Sequence, residues 1–228
     1  MIDIHTHVLP GIDDGSKDLE ETAKMFEIMV SSGVDKIVAT PHFYNTISID
    51  EFLEKRSKAY NSILNLPLKP DVVLGAEVLL EYGLHERADL RKLCIQNTDY
   101  MLVELPYARW DGWIFDELFK ISAKHDIDII IAHIDRYSSF ADTEDIYKLY
   151  DMNMKFQVNI DRLGGIFKRS SSVKFMKNDM ADFIASDCHN TAERRPCLAD
   201  AVKKLTSMFG SKYVSGLMKN AENMLSGI

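Results

Sequence analysis

Short apolar runs alternate with amphipathic stretches along almost the whole chain. Ile2 and Ile4 give the period of two of a strand. Leu19, Ala23, Phe26 and Val30 then recur on one helical face, with Ser16 placed to cap that helix and Gly33 to end it. Residues 36–40 (KIVAT) read as a buried strand, and Ser48 with Glu51 forms a capping box for a helix reaching about residue 64. The alternation continues with strands at 71–78, 100–105, 127–133, 156–160 and 182–186, and with helices at 84–95, 113–125, 143–152 and, more weakly, 172–178. The run IDIIIAH at 127–133 is apolar almost throughout, as parallel strands buried on both faces are. Two helices close the chain, at 196–208 with Pro196 in the first turn, and at 212–225. No linker interrupts the series, so residues 1–228 are expected to form one domain, with the glycine- and serine-rich loop 161–172 its most mobile segment.

About seven βα repeats with right-handed crossovers predict an α/β fold on a parallel sheet, and that number suggests closure into a barrel. The chemistry-bearing residues fall in one place. His5 and His7, His42, Glu77, Glu104, His133, and Asp187 with His189 stand at the carboxyl ends of predicted strands. In a closed βα barrel those ends converge on the face that carries active sites. His85 and His125 lie on predicted helices and read as solvated residues.

Composition narrows the classes. The chain has 228 residues, 46% of them hydrophobic and 27% charged, enough for one large core. A formal net charge of -8 without a run of Lys or Arg argues against a nucleic-acid footprint or an anionic membrane surface. Cys94, Cys188 and Cys197 are an odd set without paired spacing, and the amino end has no signal-peptide pattern, so the expected compartment is the reducing cytoplasm. No apolar run approaches the roughly 20 residues of a spanning helix. Membrane association is therefore expected only through a partner, not by direct insertion.

His5-x-His7 alone is ambiguous, because two imidazoles on one strand face either chelate a cation or stand in solvent. A carboxylate from the following loop, Asp13 or Asp14, would complete a mixed N/O site. The whole set decides for metal. Counting Asp14, five imidazoles and four carboxylates are too many for one ion and fit two or three, with Glu77 placed to bridge. Thiol-free N/O donors disfavour structural zinc and favour a hydrolytic cluster. In such a cluster the pKa of water falls from about 15.7 towards 7, and paired ions stabilise both oxygens of an in-line displacement. That chemistry suits phosphoester hydrolysis. Arg136 and Arg194 lie on the same rim, where a guanidinium fork fits phosphate oxygens, a rim salt bridge being their other reading. Cys188 and Arg194 also have the C-x5-R spacing of thiol-dependent tyrosine phosphatases. The intervening residues lack glycine, however, and strand alternation turns Cys188 away from Asp187 and His189.

The segments IDIHTHVLPGIDDGS, TPHF, GAEV, VELP, AHIDRY and SDCHN resemble the PHP superfamily, named for polymerase and histidinol phosphatase. Within it they look like the metal-dependent bacterial protein tyrosine phosphatases of capsule and exopolysaccharide biosynthesis. The likeness covers nearly the whole chain; HVLPGIDDGS and the SDCHN segment are specific to that branch, whereas His-x-His is shared across the superfamily. It implies a distorted (β/α)7 barrel of the TIM-like PHP type holding up to three metals, commonly manganese, with iron, zinc or magnesium as alternatives. It also implies that His5, His7, Glu77 and Asp187 bind one ion, Glu77, Glu104 and His133 a second, and Asp14, His42 and His189 a third, with Arg136 and Arg194 binding phosphate. The implied substrate is a phosphotyrosine cluster on the tail of a membrane-associated tyrosine kinase controlling polysaccharide chain length and export. Direct attack by a metal-bridging hydroxide, without a phosphoenzyme, is the expected reaction. Asp135 stands where the branch more often has Glu. Two other readings remain open: a small-molecule PHP phosphatase, such as one acting on histidinol phosphate, and a non-catalytic metal-binding adaptor for polysaccharide assembly.

Overall fold

A computed structural model of the chain describes residues 1–160 and 171–226. The strands are β1 (Ile2–Thr6), β2 (Lys36–Ala39), β3 (His42–Phe43), β4 (Asp71–Leu74), β5 (Glu77–Leu79), β6 (Tyr100–Glu104), β7 (Asp128–Ile131), β8 (Lys155–Asn159) and β9 (Phe183–Ala185). The α-helices are α1 (Leu19–Ser31), α2 (Ile49–Ile63), α3 (Gly112–His125), α4 (Thr143–Asp151), α5 (Ser171–Lys177), α6 (Leu198–Phe209) and α7 (Ser211–Met224).

Every strand pair is parallel, in the orders β1-β2-β4 and β3-β5-β6-β7-β8-β9. Two of the staves are broken in the middle. β2 passes into β3 across Thr40 and Pro41, and β4 into β5 across Gly75 and Ala76. Proline has no N–H to give a ladder, and a Cβ on Gly75 would lie 3.1 Å from Val38 Cγ1 and 3.3 Å from Thr40 Cγ2. The ring closes where β9 returns to β1. Beyond β9, Asp187 N donates to His5 O at 3.0 Å, His7 N donates to Cys188 O at 2.9 Å, and Thr6 bridges Cys188 in parallel. The result is a distorted βα barrel, as expected.

The larger apolar cluster lies between strands and helices, where Phe26, Phe52, Leu118 and Leu149 meet Ile37, Met101, Ile129 and Phe156. A smaller one gathers Val38, Leu102, Ile130, Phe183 and Ala185 with Ala221 and Met224 of α7. Leu102 precedes Glu104 by two residues and Ala185 precedes Asp187 by two. The same strand faces thus carry an apolar floor and, one step further, a polar layer.

Several local expectations need correction. Ser16 does not cap α1, because its hydroxyl is engaged with Thr22 Oγ1 at 2.8 Å; Asp18 is the cap and accepts from Glu21 N. The expected helix at 84–95 is two 3-10 turns, Leu84–Glu86 and Leu90–Leu93. Gly83 sets the first turn off with a φ of +82°, and the buried carboxylate of Glu117 accepts from Gly83 N and His85 N, fixing the backbone from the α3 side. His85 is therefore not solvated, since its Nδ1 lies 2.8 Å from Glu117 Oε1; His125 is tied to His85 O through Nε2 at 2.8 Å. Pro196 precedes α6, whose N-cap is Cys197. Of the loop expected at 161–172, residues 161–170 lie outside the described residues, and Ser171 and Ser172 open α5.

The turn after β1 leaves no room for a side chain at Gly15, where a Cβ would lie 2.3 Å from His7 O and 2.4 Å from His7 Cβ. Gly15→Ala is expected to destabilise the protein by about 3 kcal/mol, measured as a lower urea midpoint. An unchanged midpoint would show that the loop can give way.

Candidate metal centre

β1 ends by turning two imidazoles inward, with His5 and His7 both fully buried and their Nε2 atoms 3.1 Å apart. Glu77 Oε2, from the start of β5, lies 3.2 Å from His5 Nε2 and 3.1 Å from His7 Nε2. Asp187 Oδ1, across the closing seam, lies 3.5 and 3.4 Å from the same nitrogens. Such mutual spacings are those of N and O donors held about 2.0–2.2 Å from a common centre. Around them the remaining expected residues converge. Glu77 Oε1 is 2.8 Å from His133 Nε2, which has Glu104 Oε1 at 3.5 Å. His42 faces two ways, Nδ1 lying 3.2 Å from Glu77 Oε2 and Nε2 lying 3.4 Å from Asp14 Oδ1. His189 Nε2 is likewise 3.4 Å from Asp14 Oδ1.

All nine side chains thus meet at one end of the barrel, with Glu77 central. Three groups have their donor atoms within 4.8 Å of one another: His5, His7 and Asp187; His42, Glu77 and Glu104; and His7, Asp14, His42 and His189. Among the described residues, the buried atoms His42 Nδ1, His189 Nε2 and Asp187 Oδ1 have no hydrogen-bond partner in the chain. Buried polar atoms are seldom left so, and these three point into the cluster. The donor set fits divalent cations.

The outer atoms of these side chains are held from behind. Asp13 Oδ2 lies 2.7 Å from His7 Nδ1 and accepts from His42 N at 3.1 Å. This separates the two loop carboxylates, Asp13 supporting His7 while Asp14 faces His42 and His189. Gln157 Oε1 lies 3.1 Å from His5 Nδ1 and accepts from His133 N, and Asn159 Nδ2 donates to Asp187 Oδ2 at 2.8 Å. Asp135 Oδ1 in turn accepts from Asn159 N at 2.9 Å. Partners of this kind fix ring tautomer and orientation. Gln157 and Asn159 escaped the sequence reading, although two polar residues at a spacing of two in the run FQVNI were the available signal. His133 and Asp187 have φ values of +33° and +53°, uncommon for residues with a Cβ and concentrated at functional sites.

Arg136 and Arg194 come together on one oxygen, Asp187 Oδ2, at 2.7 and 2.8 Å. A pocket of about 750 Å³ opens above the cluster, lined by both arginines, Asp14, His42, Glu104 and His133. Cys188 is fully buried, and burial followed by the charge of Asp3 pushes its thiol well above the ordinary range.

Residues 1–226 match the family described as capsular polysaccharide synthesis, CpsB/CapC. The chain belongs to this family. It is 30% identical over 235 residues to the tyrosine-protein phosphatase YwqE of Bacillus subtilis, covering 99% of this chain and 91% of that protein. The tyrosine-protein phosphatase CpsB of Streptococcus agalactiae serotype III is 27% identical over 246 residues, covering 99% and 98%. A crystal structure from a study of YwqE from B. subtilis and CpsB from Streptococcus pneumoniae, described as metal-dependent tyrosine phosphatases, superposes with a TM-score of 0.83 at 27% identity, covering 99% of this chain and 94% of the other. No helix among the described residues is long and apolar enough to cross a membrane.

The electrostatics predict how cations are taken up. Burial, and then the negative charge of Glu77, raises Glu104 to about 7. Burial alone would lower His7, but the nearby carboxylates of Asp13, Asp187 and Glu77 outweigh this and hold it well above its ordinary value. Both groups therefore carry protons near neutrality in the metal-free protein and must lose them to act as ligands. Affinity for Mn2+ is expected to rise with pH between 6 and 8, by about tenfold per unit for each proton displaced. Calorimetry in buffers of different ionisation enthalpy reads the proton release directly, and a pH-independent affinity would contradict it.

Proposed function

We propose that residues 1–228 act as one PHP-type phosphatase domain that hydrolyses phosphotyrosine on a bacterial tyrosine kinase regulating capsular or exopolysaccharide synthesis. The observation that carries this reading is a cluster of N and O donors at one barrel end, of which Asp14, His42, Glu77, Glu104, His133 and Asp187 line a single pocket together with two guanidiniums. His5, His7, Glu77 and Asp187 would hold one cation, Glu77, Glu104 and His133 a second, and Asp14, His42 and His189 a third. Thiol-free N/O donors suit Mn2+, with Fe, Zn or Mg as substitutes. When bound, such ions supply Lewis-acid chemistry: water made nucleophilic near neutral pH, and neutralisation of charge on phosphoryl oxygens. Arg136 and Arg194 converge on one carboxylate oxygen and both line the pocket, so together they present guanidinium donors to an anion arriving there. The leaving phenol has a pKa near 10, so protonating it matters less than for an alkyl phosphate and no general acid is assigned. The substrate tyrosines are placed on the tail of a membrane-associated kinase, reached from the cytoplasm; membership of a capsule-synthesis family supports that partner.

Hydrolysis of a phosphotyrosine peptide by the purified protein is expected with Mn2+, abolished by excess EDTA and untouched by thiol alkylation, because the Cys188 thiol is buried. Metal-independent, alkylation-sensitive turnover would overturn the reading, and inactivity under every condition would favour the adaptor. In the same assay His42→Ala should abolish turnover. Arg136→Ala should raise KM by about tenfold or more, the loss of a charge-assisted hydrogen bond; a wild-type KM would remove Arg136 from phosphate binding.

A further inference from the structure

Large aromatic side chains standing open to solvent around a concave site are a recognition signal rather than a packing requirement. The pocket has such a set. Tyr44, Tyr82 and Tyr107 are 44%, 78% and 46% exposed, and all three line it together with Trp113. Their arrangement follows the histidines beneath. Tyr44 is stacked on His42, with centroids 5.5 Å apart and planes 22° apart, and Tyr107 is stacked on His133, at 6.1 Å and 20°. Glu104 lies between these two histidines, 3.9 Å from His42 Nδ1 and 3.5 Å from His133 Nε2. The two phenol rings therefore stand on either side of Glu104, each on an imidazole floor.

Tyr107 is further fixed by its neighbours Tyr137 and Phe140, at 5.5 and 5.7 Å, and its hydroxyl is hydrogen-bonded to Glu104 and Arg136. Farther out, Tyr82 and Trp113 meet edge to face at 6.4 Å. The donors below are buried, His133 being 1% and His189 2% exposed at the side chain. A phosphate must be carried down past the rings to reach them, and a short alkyl chain spans less of that path than an aromatic side chain does.

We propose that Tyr44 and Tyr107 form the walls of a slot that selects aryl over alkyl phosphomonoesters, clamping the substrate ring while its phosphate reaches Arg136, Arg194 and the buried donors. This rests on the phosphatase reading and adds to it the residues that set its substrate class. Offset or edge contacts between rings provide attraction that an alkyl group cannot replace. The stacking on His42 and His133 holds both walls in place before substrate arrives.

The test compares inhibition of the Mn2+-loaded enzyme by phenylphosphonate and by methylphosphonate, two non-hydrolysable anions that share the phosphoryl head and differ in the ring. Tyr44→Ala is expected to weaken phenylphosphonate about tenfold, with methylphosphonate changed less than twofold. Tyr107→Leu, which also removes the hydroxyl bonded to Arg136, is expected to weaken phenylphosphonate about tenfold more than Tyr107→Phe does, with methylphosphonate the same for these two variants. Tyr107→Phe keeps the ring and is expected to keep the discrimination, which separates the wall from the hydroxyl's bonds to Glu104 and Arg136. Equal losses for both anions, or no loss for either, would overturn the slot while leaving phosphotyrosine turnover by the wild type intact. A wild-type enzyme that hydrolyses no phosphotyrosine peptide would remove the phosphatase reading and the slot with it.

Discussion

Glu77 has 1% of its surface exposed, and nitrogens of His5, His7, His42 and His133 all lie within 3.2 Å of its two oxygens. Withdrawing a carboxylate from water carries a penalty of several kcal/mol even after relaxation. Its position is tolerable only because positive or polarised partners close on it from several directions at once. Each of those partners needs its own strand end at a set height, and the barrel is the device that provides them. From this one charge the requirement spreads outward, to Asp13 behind His7, to Gln157 behind His5, and to Asn159 behind Asp187. Burial works against the charge on Glu77, but the imidazoles outweigh it and hold its carboxyl well below the usual range.

Much of this design was legible in the chain because a barrel writes its active face in a period of two. His5 with His7, Glu104 after Leu102, and Asp187 after Ala185 are polar residues placed where an apolar strand ends, and the strands themselves announce their burial. The illegible parts are those decided by tertiary contacts. Residues 84–95 have helical composition, yet Glu117 reaches across from α3 to bind the backbone at Gly83 and His85 and leaves only 3-10 turns. Ser16 has the chemistry of a cap, but Thr22 engages its hydroxyl and Asp18 takes the role. The breaks at Pro41 and Gly75 lie inside runs that read as single strands, and close packing against Val38 and Thr40 fixes the second. Gln157 and Asn159 show in the chain only as two polar residues at a spacing of two in FQVNI, and that pattern alone does not tell an amide behind a ligand from one in solvent.

Asp187 is claimed by three kinds of partner. Oδ1 faces His5 and His7, while Oδ2 accepts from Arg136, Arg194 and Asn159. One buried carboxylate thus joins the imidazole cluster to the guanidinium edge. Anything that changes the charge felt by Asp187 on one side is transmitted to the arginines on the other. The backbone at this residue is left-handed, a strained conformation that the surrounding bonds hold in place.

The seam between β1 and β9 gives this arrangement a history as well as a shape. His5 and His7 lie at the start of the chain and Asp187 and His189 near its end, and the bonds that close the ring are the bonds that assemble the centre. Bringing such distant segments together is the slow part of folding for parallel topologies, because loop closure precedes the contacts that reward it. A chain emerging from the ribosome therefore lacks two of the nine donors, Asp187 and His189, until its last strand arrives. A cation held by His5, His7 and Asp187 would fasten most of the polypeptide into one loop, and so would act as a clasp on the fold.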